Sequence, residues 1–247
     1  MHFISKIFIT LLVIFWAANS NGQAIKKTIP KTPTSSVKRT VKAKPTLAIA
    51  APRIAGTRIK ITTDSGVIVV RLYDKTPLHR DNFTKLVNNH FYDSLLFHRV
   101  IAGFMIQGGD PESKNAVPDQ MLGKGDIGYT IPAEFDSTLF HKKGALAAAR
   151  TLNAEKASSG CQFYLVQGKK FTQEELSAIE KQNGVHFSPS KRKAYTLLGG
   201  TPMLDMNYTV FGEVEAGLGV IDRIAQAQKN DFNRPIVDIR MKMDVLK

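Results

Sequence analysis

The sequence predicts a mainly β fold: a closed antiparallel barrel with one α-helix over each end. Two observations carry this prediction. From residue 58 onward, short apolar segments recur, bounded by Gly, Pro, Asn and Asp. Two helix-spaced segments stand far apart among them, so each can cover one end of a barrel. Closure removes the unpaired edges that so many strands would otherwise expose.

Arg58–Thr63 alternates, with Ile59 and Ile61 on one face, and Asp64-Ser65-Gly66 is a turn signal. The next strand, over 67–73, sets Ile68, Val70 and Leu72 on one side, so the pair reads as a hairpin. Thr76-Pro77 is a helix start, Thr as cap and Pro at the first helical position. Phe83, Leu86, Val87 and His90 then share one helical face. Short strands are expected near 96–100, 104–107, 128–131, 145–149, 162–166 and 208–212. A second helix spans 217–225, with Leu218, Ile221, Ile224 and Ala225 at helical spacing. The last strand, 237–245, alternates from Val237 to Val245. Residues 169–202 interrupt the pattern and read as an insertion. Thr172 and Glu175 have capping-box spacing, predicting one helix that stops at Asn183-Gly184, with a polar basic stretch (188–195) beyond it.

The first 22 residues read as a secretory signal: a basic start closed by Lys6, then the apolar run IFITLLVIFWAA and small polar residues. The run is short for a membrane span, and an uncleaved anchor is the alternative. Residues 23–56 carry Lys, Arg and Pro but no acid, and are expected to be a disordered basic linker. Much of the +13 net charge falls ahead of residue 57. An exported protein, periplasmic or secreted, is the expectation, with membrane contact only through these two segments. The folded part, 57–247, is expected to be a monomer.

Several chemistries are excluded. Gly123-Lys124-Gly125-Asp126-Ile127-Gly128 fits G-x-G-x-x-G, but an extended segment follows it where a dinucleotide site needs a helix. His79-Arg80-Asp81 lacks the downstream asparagine of a kinase loop. The six histidines form no close ligand pair and Cys161 is the single cysteine, so no metal or cofactor is expected. Cys161 reads as a small packing residue. No basic surface interleaved with aromatics predicts nucleic-acid binding.

Three segments resemble the signatures of the cyclophilin-type peptidyl-prolyl cis–trans isomerases, in the family's order. They are FHRVIAGFMIQGGD (97–110), ASSGCQFY (157–164) and LDMNYTVFG (204–212). The resemblance covers about 57–247 apart from the insertion, and implies an eight-stranded antiparallel barrel capped by two helices. It implies a catalytic set of Arg99, Phe104 and Gln107, with Gln107 orienting Arg99 and the substrate carbonyl. Phe104, Met105, Tyr164 and Leu204 would wall a proline pocket. Ala149, Arg150 and Gln162 would hold the peptide backbone or border a neighbouring pocket. Arg150 stands where asparagine is more usual, and Tyr164 where phenylalanine is commoner. Met203 and Tyr208 stand where many eukaryotic members have tryptophan and histidine, and are counted with the substrate-binding residues. The implied partners are proline-containing peptides or unfolded chains.

The reaction accounts for an arginine set among aromatics. An X-Pro amide resists rotation by about 18–20 kcal/mol, and uncatalysed exchange takes on the order of 10–100 s. No bond forms or breaks. The site must favour the twisted amide, whose proline nitrogen regains a localised lone pair, over both planar forms. A fixed guanidinium in a dry hollow provides such a donor. The alternative is a binding module that holds proline-containing chains without turnover.

Overall fold

The computed structural model describes residues 56–246. The expected signal segment (1–22) and nearly all of the basic linker (23–56) lie outside them. Ten strands form: β1 (Arg58–Thr63), β2 (Gly66–Leu72), β3 (Arg99–Ile101), β4 (Met105–Gly108), β5 (Thr130–Ile131), β6 (Ala145–Ala148), β7 (Ser158–Ser159), β8 (Phe163–Val166), β9 (Val210–Ala216) and β10 (Met241–Leu246). Four helices accompany them: α1 (Pro77–Asn88), α2 (Gln173–Asn183), α3 (Pro189–Leu197) and α4 (Leu218–Ala225). Eight strands make one sheet in the order β10-β1-β2-β9-β6-β8-β4-β3, all neighbours antiparallel, and β5 pairs with β7 apart from it.

The sheet is strongly curled but open, which corrects the expected closed barrel. No ladder joins the edge strands β3 and β10. The seam is spanned ahead of β3, where Leu96 bridges Arg240 and the Phe97 amide donates to Ile239 O at 2.9 Å. At β3 itself the edge is taken by a loop instead. The Val100 amide donates to Asn233 O (2.8 Å) and Lys229 Nζ to Val100 O (3.3 Å). The same loop shortens the last strand, expected from 237. Buried Arg234 binds the carbonyls of Val117 and Gln120 and the carboxylate of Asp238. Pro235 has no amide to give a ladder. Val237 is left 79% exposed, and regular alternation begins at Ile239 and Met241.

The main core lies on one face of this sheet. Ile59, Ile61, Ile68, Val70 and Leu72 are fully buried there, as their period-2 spacing predicts. Both α1 and α4 add their apolar faces to it. The α4 helix has Gly217 at its N-cap and no side-chain cap, a loss of only about a few tenths of a kcal/mol. It buries Val220, Ile221, Ile224 and Ala225, and each large apolar side chain contributes about 1.5–3 kcal/mol, so packing decides. Strands β6 and β8 are buried on both faces, hence their unbroken apolar runs ALAA and FYLV. Their second face packs a smaller cluster of Met105, Ala145, Ala147, Tyr164, Val166 and Val210.

Helix α1 begins at Pro77 as expected, but Thr76 does not cap it. Thr76 Oγ1 donates to Tyr73 O instead. The cap is Glu134, whose carboxylate accepts from the Leu78 amide (3.0 Å), the His79 amide (2.9 Å) and His79 Nδ1 (2.7 Å). A carboxylate at a helix N-terminus satisfies orphan amides and complements the helix dipole. Burial lowers the His79 pKa, with Glu134 acting the other way, so the ring is neutral and its Nε2 accepts from Ser158 Oγ (3.0 Å). His90, expected on the α1 face, lies past the helix end with positive φ and an exposed side chain.

The insertion holds two helices, not one. The capping box at Thr172 and Glu175 and the left-handed Gly184 frame α2 as expected. The basic stretch is α3, started by Ser188 as cap and Pro189, the same cap-and-proline signal as Thr76-Pro77. Its buried side chains, Lys191 and Tyr195, are polar or half-polar, so no apolar period announced the helix. Phe171, Leu176, Phe187 and Tyr195 make a small core of its own. The two ends meet where Lys169 pairs with Gly200, and a Cβ on Gly168 would strike the Gly200 backbone.

Replacing Glu134 by alanine is expected to lower stability by about 1–3 kcal/mol, because two amides and a buried imidazole lose their acceptor. Urea unfolding measures this; a change within about 0.5 kcal/mol, the usual surface range, would show that Glu134 does not cap α1.

Candidate functional site

The strand register builds the site across the sheet. Arg99 lies opposite Gln107, Gln107 opposite Tyr164, and Tyr164 opposite Ala147. Alternation sends Met105 and Gln107 to the second face while Ile106 enters the main core. A cavity of about 120 Å³ opens on that second face. It is lined by Arg99, Phe104, Met105, Gln107, Ala149, Arg150, Tyr164, Leu204 and Tyr208. A second depression of about 120 Å³ adjoins it and shares Gln107, Ala149 and Arg150. Gln162 lines this second depression but not the first. Met203 lines neither. It stands 39% exposed on the short 3₁₀ turn Pro202–Leu204, which turns Leu204 to the cavity instead. Neighbouring residues of so tight a turn face different ways.

Arg99 is half-buried and has no carboxylate within ion-pair distance among the described residues. Burial lowers its pKa, with Tyr208 acting the other way, but arginine starts so high that the charge persists. Its one side-chain partner is Gln107, whose Oε1 accepts from Nη1 at 3.2 Å. The polarity of this bond is fixed from farther away. Gln162 Nε2 donates to the carbonyls of Gly125 (2.8 Å) and Gly123 (3.2 Å). Its Oε1 is therefore the end that accepts from Gln107 Nε2 (3.0 Å), which leaves Gln107 Oε1 for Arg99. The 123–125 loop is held in turn by buried Asp110, which accepts from the Gly123 and Gly125 amides and from the Glu112 amide (2.8 Å). A Cβ on Gly125 would collide with Asp110 Oδ1. The glycines of the G-x-G stretch thus bring backbone onto a carboxylate.

Beside Arg99, buried His98 has no hydrogen-bond partner for either ring nitrogen. Burial drives its pKa down to about 4, so His98 adds no charge beside Arg99 at neutral pH. Burial likewise raises the Cys161 thiol to about 11, which agrees with a packing role.

Residues 58–245 match the family model for cyclophilin type peptidyl-prolyl cis-trans isomerases. The chain belongs to the cyclophilin family. A Staphylococcus haemolyticus protein named as a peptidyl-prolyl cis-trans isomerase is 33% identical over 183 residues, which is 74% of this chain and 87% of that protein. A Streptococcus pyogenes bifunctional phosphatase/peptidyl-prolyl cis-trans isomerase is 34% identical over 187 residues, 74% of this chain but 37% of that one. Among solved structures, a Cryptosporidium parvum cyclophilin matches with TM-score 0.59 at 21% identity, over 78% of this chain and 99% of that one. A second structure of that protein was obtained in the presence of the dipeptide Ala-Pro. The chain is a peptidyl-prolyl cis–trans isomerase, as this family membership establishes.

In this cyclophilin the cavity floor is tied to the insertion by a chain of buried polar groups that sequence reasoning missed. Asp205 Oδ1 accepts from the His141 amide (3.0 Å) and from His141 Nδ1 (2.9 Å). With its proton on Nδ1, His141 offers Nε2 as acceptor to the Tyr164 hydroxyl (3.0 Å). Burial raises the Tyr164 pKa far above its ordinary value, so that hydroxyl stays a donor. It is occupied by His141, and Tyr164 presents its ring to the cavity much as phenylalanine would. Asp205 Oδ2 accepts from Tyr195 Oη (2.8 Å) and Lys191 Nζ (3.4 Å), both on α3. His141 and Asp205 lie 64 positions apart, so no local spacing could have paired them.

Burial raises the Asp205 pKa, but the hydrogen bonds from His141 and the charge of Lys191 outweigh it and hold the net value below 3.8. Such a group stabilises the fold above its unfolded pKa of about 3.9, and that contribution is lost as pH falls through the folded value. Asp205→Asn is expected to cost about 3–5 kcal/mol at pH 7, the range for breaking one side of a buried ion pair. The difference from wild type should shrink below about pH 4. Urea midpoints across pH measure it; a pH-independent gap would assign the loss to packing.

Proposed function

We propose that this isomerase rotates X-Pro bonds by a non-covalent mechanism in which Arg99 stabilises the twisted amide. The observation that carries the reading is a guanidinium that faces a cavity walled largely by apolar and aromatic side chains, with Gln107 as its only side-chain partner among the described residues. Phe104, Met105, Tyr164, Leu204 and Tyr208 supply the wall. In this reading the proline ring lies against that wall. As the amide twists, the nitrogen lone pair localises and accepts from Arg99, a contact the planar forms cannot make. The low-dielectric surroundings strengthen it. Gln107 keeps the arginine aimed. The peptide backbone runs past Ala149 and Arg150 toward the depression bordered by Gln162.

The substrates we infer are exported proteins awaiting folding. Support comes from the apolar, signal-like run behind Lys6 and the basic linker up to residue 56. A fusion of residues 1–56 to a reporter active only outside the cytoplasm should be active. An inactive fusion, with the reporter in the soluble cytoplasmic fraction, would remove the export assignment.

Arg99→Ala is expected to lower kcat/KM on an X-Pro peptide by about 10²–10³-fold, as for losing one aimed transition-state donor. NMR exchange spectroscopy on the peptide reads the rate directly. Wild-type turnover no faster than that of the variant would overturn the mechanism.

A further inference from the structure

Six arginines in the described residues, Arg58, Arg71, Arg80, Arg192, Arg234 and Arg240, are each paired with a carboxylate. Of the remaining three, Arg223 donates twice to Ser65 O and Arg99 faces the prolyl cavity. The third, Arg150, is held rigidly without an anion. Its Nε donates to Asn207 O (2.9 Å), its Nη1 to Thr151 O (3.3 Å), and its guanidinium carbon lies 4.8 Å from the centre of the Tyr208 ring. A guanidinium carries five N–H donors, and two of these are used. The preceding carbonyl, Met206 O, receives Lys156 Nζ at 3.1 Å, a second cation with no carboxylate partner among the described residues.

The position of Arg150 gives this charge a use. It lines both the prolyl cavity and the adjoining depression, so it stands on the ridge between them. The charged groups around the two are Arg99, Arg150 and Lys124 against one acid, Asp126, which already accepts from the Ile127 amide at 2.6 Å. A peptide whose proline occupies the cavity has to send a neighbouring residue across this ridge. A cation fixed beforehand by two carbonyls and a ring loses little freedom when an anion arrives.

We propose that Arg150 makes this cyclophilin selective for peptides with an Asp or Glu close to the X-Pro bond, on the side that crosses the ridge. The inference rests on the proline binding beside Arg99. The carboxylate meets the unspent N–H groups of Arg150, with Lys156 adding to the local positive field. A neutral residue at that position forfeits the contact, and a Lys or Arg is repelled.

The test compares peptides of one X-Pro core carrying Glu, Gln or Lys in turn at each of the two residues before and after the proline. The expected result is one position at which Glu exceeds Gln in kcat/KM by about 3–10-fold and Lys falls below Gln, the range of a well-formed but water-exposed charge pair. The Glu preference should shrink between 20 mM and 500 mM salt. In Arg150→Gln the Glu-to-Gln ratio at that position should fall to about one, whatever the variant's absolute rate. Equal rates for Glu and Lys at every position in wild type would overturn the proposal. So would a preference that survives in Arg150→Gln, or one that disappears only in Lys156→Gln. Catalysis of no peptide at all would instead count against the isomerase reading of the cavity, so the two failures are distinguishable.

Discussion

A guanidinium with no carboxylate beside it has to be aimed by neutral groups, and the site is organised around that constraint. Pairing Arg99 with an acid would fix it, but would also spend the charge. Gln107 fixes it without cancelling it. Because an amide can be turned either way, Gln107 is useful only if its own orientation is imposed. Gln162 imposes it, and two loop carbonyls impose the orientation of Gln162. The chain ends on Asp110, a buried carboxylate that among the described residues accepts only from backbone amides. The negative charge that holds the loop is thus kept one layer away from the uncompensated cation that lines the cavity.

The sheet makes this separation possible by having two apolar faces. One face, with α1 and α4, forms the main core and carries most of the burial. The other holds a smaller cluster in β4, β6, β8 and β9, and the cavity is a gap in that cluster. Strands buried on both faces are stiff supports, since each side chain is confined by packing. Arg99 opens the edge strand β3, where the loop at 229–234 covers the backbone in place of a partner strand. The open seam therefore exposes little, and strand closure is not needed to protect it.

The insertion is bound to the cavity by buried charge. Lys191 and Tyr195 of α3 share one carboxylate with His141, and His141 holds the hydroxyl of the cavity-floor Tyr164. Burying such a set is costly unless every member is satisfied. Here the carboxylate accepts four donors, so the helices of the insertion and the floor of the cavity are held in one arrangement.

The hairpin, α4 and the α2 capping box were legible in the sequence because each is a local pattern: a period of two, a period near four, a cap at fixed offset. Most of the cavity residues were legible too, through three signature segments, and all but Gln162 and Met203 of those named line it. What the sequence could not convey were contacts made by residues far apart in the chain. Glu134 caps α1 from 55 positions away in place of Thr76, and Asp205 gathers His141, Tyr195 and Lys191. The open seam depended on Arg234 and Pro235 pulling the chain off its strand path, and α3 hid because its buried face is polar. Local periodicity records which face of an element is apolar. Only the assembled fold decides which distant polar group each buried donor finds, and for this protein that choice aims the arginine.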